Sequence, residues 1–181
     1  KHFAFYEASA LAISGWVEQR QGKPGAIEKA QDGMDQVNSL GSTAMDSISF
    51  TVIMHLYVLL NDRQYDAARK IIDDALPNFE TLGCKWTFPE FMRLKGVCGL
   101  GAKNPNFHEI ESTFLKALKV TRSQKNRFWE LRCAMSLAKL WAERKERQKA
   151  CDLLVPIYDW YTEGFDTPIL QEAKHLLDQL R

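Results

Sequence analysis

Residues 65–75 read YDAARKIIDDA, and Ala68, Ile72 and Ala75 recur at i, i+4 and i+7, which places three apolar side chains on one helix face. The same shape returns three times. Phe107-His108-Glu109-Ile110 leads to Phe114 and Ala117, Gln148-Lys149-Ala150 leads to Leu154 and Ile157, and Pro24-Gly25-Ala26 leads to Ala30 and Gly33. Taking Ala26, Ala68, Ile110 and Ala150 as equivalent gives steps of 42, 42 and 40 residues. A fixed period of that size marks stacked repeats. Turn-forming residues precede each copy: Gly22-Lys23-Pro24, Asn61-Asp62-Arg63, Asn104-Pro105-Asn106 and Arg144-Lys145-Glu146-Arg147. Another apolar helical stretch precedes each turn. The unit is helix, turn, helix, four times over.

Working outward, the periodicity predicts helices near 2–21, 24–40, 44–60, 64–82, 86–101, 106–124, 127–145 and 147–163, then one more. Period-two alternation is confined to Ser47 to Thr51, where the longer Met45-Ile48-Val52-Leu56-Leu59 pattern is helical. Pro77 and Pro156 should kink or shorten their helices. Gly164 reads as a left-handed helix stop, and Thr167-Pro168 as the N-cap and first residue of a last helix. That last helix is apolar on one side only (Ile169, Ala173, Leu176, Leu177, Leu180), as a terminal cap should be. The stretch 127–145 is the opposite case. Phe128, Leu131, Met135, Ala138 and Ala142 make one apolar row and Trp129, Cys133, Leu137 and Leu140 a second, leaving Arg132, Ser136, Lys139 and Glu143 as the polar row. Such a helix is sandwiched between neighbours. The predicted fold is all-α: a right-handed α-solenoid of four helix-turn-helix repeats (about 1–42, 43–83, 84–125 and 126–164) and a capping helix over 166–181, in one domain.

Several blocks carry a family resemblance. They are Gly15-Trp16 with Gly22-Lys23-Pro24, the run Glu90 to Gly96, the run Trp129 to Trp141, then Pro156-Ile157-Tyr158, Thr162 to Thr167 and Gln171-Glu172-Ala173-Lys174. Together they resemble the long-repeat, tetratricopeptide-like C-terminal domain of bacterial signalling ATPases, often fused to class III adenylate/guanylate cyclase or transcriptional regulator domains. At Asn104-Pro105-Asn106 that family often has a longer insertion. The resemblance covers essentially all 181 residues and implies a cytoplasmic, non-enzymatic interaction and sensor module. Its partner would be a protein, a peptide, or the upstream ATPase domain of the same chain, with a small-molecule signal also open. The family's catalytic residues lie in other domains, so none is carried over.

Composition narrows the classes. Of 181 residues 45% are hydrophobic and 11% aromatic, so the chain can build a core, and a net charge of +1 implies no global polyelectrolyte partner. No apolar run approaches the roughly 20 residues a bilayer span needs; the longest, Val52 to Leu60, is interrupted by His55. The chain opens at Lys1 with apolar periodicity and no signal-peptide layout, so it reads as a piece of a longer protein. The cysteines at 84, 98, 133 and 151 have no zinc or redox spacing and read as buried free thiols. No phosphate-binding GxxxxGK[ST] is present, and Gly96-Val97-Cys98-Gly99-Leu100-Gly101 ends a helix, so it reads as packing and capping. His2, His55, His108 and His175 lack ligand spacing, and the carboxylate pairs Asp73-Asp74, Asp32 with Asp35, and Glu109 with Glu111 read as solvated surface. Catalytic, cofactor and metal residues are therefore expected to be none.

Charge is asymmetric along the chain. Residues 116–149 hold eleven basic and three acidic side chains, a net +8, whereas 26–80 net −5 and 150–181 net −4. Phe128, Trp129 and Trp141 fall on or beside packing rows, so the basic stretch does not read as a nucleic-acid platform. The binding surface is expected on the concave side of the first helix of each repeat: Glu18, then Thr51 and His55, then Glu90 and Arg93, then Arg132 and Lys139. That order runs from acidic to basic and would orient an extended acidic segment toward Arg132. The plainer reading of Arg132 is a pair with Glu130. A metabolite bound in the same groove is the alternative function.

Overall fold

The computed structural model describes residues 2–40, 45–82 and 86–181. Among them the chain is helical throughout, with α1 His2–Arg20, α2 Ala26–Ser39, α3 Met45–Asn61, α4 Tyr65–Leu82, α5 Phe88–Leu100, α6 Phe107–Ser123, α7 Arg127–Glu143, α8 Arg147–Tyr158 and α9 Pro168–Leu180. The four positions aligned by period are all buried: Ala26, Ala68, Ile110 and Ala150. So are Ala30, Ile72, Phe114 and Leu154 one turn later. The even-numbered helices therefore turn the faces read from the sequence inward.

Four turns share one backbone device. Gly22, Arg63, Lys125 and Lys145 all have positive φ (69°, 59°, 54° and 64°), two residues past the ends of α1, α3, α6 and α7. In each, the left-handed residue donates its N–H to the carbonyl three residues back, and the next residue donates to the carbonyl five back, as in Lys145 to Ala142 (3.0 Å) and Glu146 to Trp141 (2.8 Å). This is the Schellman closure, which satisfies carbonyls the helix end leaves open. Only Gly22 is the residue type that suits it, so the other three ends were not marked by a glycine.

Some boundaries differ from expectation. α8 stops at Tyr158 rather than near 163, two residues past Pro156, whose ring removes an N–H and crowds the preceding turn. Gly164, at φ 76°, consequently bends the α8–α9 loop and does not stop a helix. α4 runs through Pro77 to Leu82. α2 starts at Ala26, after the left-handed Gly25. Phe128, expected in an apolar row, is 47% exposed.

Among the described residues the helix backbones pack on helices one or two places away in chain order. The odd helices touch in succession, α1 on α3, α3 on α5, α5 on α7 and α7 on α9, while the even helices meet through side-chain ion pairs such as Lys149 with Glu111. α1 and α2 approach most closely. A Cβ on Gly33 would run into the Ala12 backbone, and one on Gly15 would lie 2.5 Å from the Ala30 nitrogen, so glycine is needed at both. Gly96 and Gly99 likewise receive the side chains of Phe114 and Ile110 from α6. The core falls into successive clusters: Phe5, Ala8, Met34 and Val37 at one end, a middle group around Ile53, Leu56, Ile72 and Phe91, and a large group from Ile110 to Leu180.

Candidate functional site

The packed row of odd helices carries one polar cluster. Thr87 stands at the N-cap position of α5, and Glu90 follows in the first turn, where the helix dipole favours a negative charge. Glu90 is fully buried, and its carboxylate is filled from three elements. Oε1 accepts from Tyr57 Oη of α3 (2.7 Å), Arg93 Nη2 (2.7 Å) and Arg132 Nη2 of α7 (3.1 Å). Oε2 accepts from Arg93 Nε at 2.8 Å, completing a two-pronged guanidinium–carboxylate pair. Arg93 Nη1 donates to Ser136 Oγ (3.1 Å), and Arg132 Nη2 donates to the Tyr57 hydroxyl (3.0 Å). The Arg132 guanidinium also lies 5.3 Å from the Tyr57 ring centroid and 5.8 Å from that of Trp129.

Two cations and one carboxylate shape the ionisation here. Burial opposes charge on Glu90, yet the Arg93 guanidinium beside it outweighs that and holds the carboxyl below the usual range. Burial and the Glu90 charge push the Tyr57 hydroxyl well above the ordinary phenol value, so it stays a donor. Burial also raises the thiols of Cys98 and Cys133, to about 11 and about 12, which leaves them inert as nucleophiles at neutral pH. Cys151 is a free, half-buried thiol, and Cys84 lies outside the described residues.

Beside the cluster opens a cavity of about 390 Å³ to which every odd helix contributes. α1 supplies Trp16, Gln19 and Arg20; α3 supplies Tyr57, Leu60 and Asn61; Arg93, Leu94 and Val97 come from α5, Arg132 from α7 and Glu172 from α9. A smaller cavity of about 60 Å³ adjoins it, shares Arg93, Arg132 and Glu172, and adds Lys139. Lys139 is ion-paired to Glu172 at 2.6 Å, with both side chains about half exposed.

Of the seven residues expected on the concave face, Glu90, Arg93, Arg132 and Lys139 are brought together here. The other three are not. Glu18 turns to α2 and pairs with Lys29 at 2.7 Å; that hydrogen bond keeps its carboxyl below the ordinary range. Thr51 and His55 are 2% and 1% exposed and face the core, not solvent. The expected acidic-to-basic order along the groove also fails to form, because Glu90 sits between Arg93 and Arg132. Glu130 pairs with Arg122 and Arg127, at 2.9 and 2.7 Å, and Arg132 goes to Glu90 instead. Much of the basic stretch is answered in this way, since Arg144 and Lys149 both close on Glu111 of α6.

His55 makes a pH dependence. Burial pushes its pKa down from 6.5, only partly opposed by the Asp35 charge, and its Nδ1 has no hydrogen-bond partner among the described residues. The unfolded chain therefore binds a proton that the folded chain refuses. Stability should be complete above pH 6.5 and fall as pH drops from there toward the depressed folded value, with a slope of up to about 1.4 kcal/mol per pH unit. Urea midpoints between pH 5 and 8 check this; His55→Leu should flatten the acid limb, and an unchanged limb would assign it to other groups.

Among the described residues no helix is long and apolar enough to cross a membrane, and no three His, Cys, Asp or Glu side chains are grouped as a metal would require. No protein-family model and no curated protein matches the chain.

Proposed function

We propose that the chain is a non-enzymatic recognition and sensor module whose odd-numbered helices form the binding surface. In this reading the helices make four tetratricopeptide-like repeats, with α9 as the cap of a right-handed solenoid. A cavity built jointly by α1, α3, α5, α7 and α9 is the observation that carries it. Five helices remote in sequence contribute to one concavity, as expected when an array curves with one helix of each pair inside. The buried Glu90–Arg93–Arg132–Tyr57 network supports the same reading, because it holds three of those helices in fixed register around the opening. The sequence resemblance places such a module in the cytoplasm, behind a signalling ATPase linked to a cyclase or a transcriptional regulator. There it would receive a protein partner or the ATPase itself. A metabolite receptor is the second reading, favoured by a cavity volume in the range of small-molecule sites.

Site-specific photocross-linking tests the surface. A benzoylphenylalanine at Asn61, exposed on the cavity rim, should yield a discrete adduct in cells expressing the intact protein. The same probe at Lys119, exposed on α6, should not. Equal labelling from both positions, or an adduct from Lys119 alone, would reject the odd-helix surface.

A further inference from the structure

The groove holds more positive charge than its own carboxylates neutralise. Arg20, Arg93 and Arg132 line the larger cavity and Lys139 the adjoining one, four cations in all. Against them stand Glu90 and Glu172, so two positive charges are left over. Glu90 cannot serve an incoming group, since both its oxygens are occupied and it is fully buried. Two guanidinium groups keep free capacity. Arg20 is exposed and has no hydrogen bond or ion pair among the described residues; its guanidinium lies 5.6 Å from the Trp16 ring centroid. Arg132 directs Nε and Nη2 to Glu90 and Tyr57, and its other terminal nitrogen has no partner among the described residues.

Resting on the reading that this groove is the binding surface, we propose that it takes a phosphomonoester, with the phosphoryl group between Arg20 and Arg132. Charge selects this over a carboxylate. A phosphomonoester carries about −1.5 to −2 at pH 7 and so matches the surplus of two, whereas a carboxylate leaves one cation unanswered. Donor placement supports it as well. Arg20 of α1 and Arg132 of α7 present free guanidinium nitrogens to one cavity, while Arg93, committed to Glu90 and Ser136, adds charge. The cavity of about 390 Å³ leaves room beyond the phosphoryl group. Trp16, Leu60, Leu94 and Val97 make that remainder apolar, so the ester carries an aromatic or apolar portion. Glu172 faces the same space and acts against the anion, which makes α9 a source of selectivity against weakly charged ligands.

Titration calorimetry on the whole chain with phenyl phosphate, inorganic phosphate and benzoate, at constant ionic strength and pH 7.5, tests the assignment. Phenyl phosphate should saturate at one site, at least tenfold tighter than inorganic phosphate, with benzoate at least tenfold weaker than phenyl phosphate. Arg20→Gln should weaken phenyl phosphate tenfold or more with little change in melting temperature, because Arg20 is exposed and makes no hydrogen bond or ion pair among the described residues. Glu172→Gln should tighten it severalfold. Absence of saturable binding, benzoate as tight as phenyl phosphate, or indifference to Arg20→Gln would overturn the site. If phenyl phosphate fails while the Asn61 adduct forms, the anion site falls and the recognition surface stands. Saturable, Arg20-dependent binding without the adduct would support the anion site and leave the partner reading rejected.

Discussion

Glu90→Ala is expected to destabilise the fold by about 3–5 kcal/mol, seen as a large drop in urea midpoint at unchanged slope. The reason is not the loss of an attraction. Glu90 is fully buried, and among the described residues it is the one carboxylate that answers Arg93, itself nine-tenths buried; it also holds the inner edge of Arg132 and accepts from the Tyr57 hydroxyl. Deleting the carboxylate strands a guanidinium in a place where hydration cannot be restored. Two comparisons isolate that cause. Lys139→Ala breaks an exposed pair with Glu172 and should cost under about 1 kcal/mol. Glu90→Leu combined with Arg93→Met removes both charges, and should recover part of the single-variant loss, because an apolar replacement of a buried pair leaves fewer groups unanswered. Equal losses for Glu90→Ala and Lys139→Ala would mean that water reaches the cluster and that the network is no pillar of the groove. Acid should act in the same direction as the mutation. The folded carboxyl titrates below the ordinary range, so its contribution is complete above about pH 4.5 and is lost as pH falls through the folded value.

Sequence alone sets Arg132 against Glu130, whereas its partner is Glu90, 42 residues away and one period earlier. The burial of that pair was not legible. A charge on an otherwise apolar helix reads as a solvated row, and only the packing of α3, α5 and α7 shows that this row faces a partner helix. Tyr57 and Trp16 escaped notice for the converse reason: an aromatic at helical spacing reads as core, whereas these line a cavity. Thr51 and His55 failed because a polar residue on an apolar helix was assigned to the open side, although both are enclosed. Where a single helix decides the matter, as at Ala68, Ile72, Ile110 and Phe114, periodicity was sufficient. Ends closed by left-handed Arg63, Lys125 and Lys145 were legible only as polar turns, since none carries the glycine that usually signals the closure.

Removal of residues 166–181 is expected to lower the melting temperature by roughly 10 °C or more and to produce concentration-dependent aggregation. α9 buries Leu170, Ala173, Leu176, Leu177 and Leu180 against α7 and α8, and truncating even one such leucine to alanine costs about 2–5 kcal/mol. Without α9 the apolar flank around Leu154 and Ile157 loses its cover, which creates a sticky end. The distribution of the damage distinguishes a nearest-neighbour array from a single cooperative core. α9 packs on α7 and α8 only, and α1 to α4 draw their buried partners from the first two clusters and from α5. Amide exchange in the truncated chain should therefore accelerate strongly in α7 and α8, less in α5 and α6, and least in α1 to α4. A uniform loss of protection from α1 to α8 would show that the helices unfold as one unit and would remove the repeat interpretation. A graded loss, with α3 still protected around Ile53 and Leu56, would show that each pair of helices draws its stability from the next. In that case the groove, built from one helix of each of four pairs and from α9, weakens from its α9 end first.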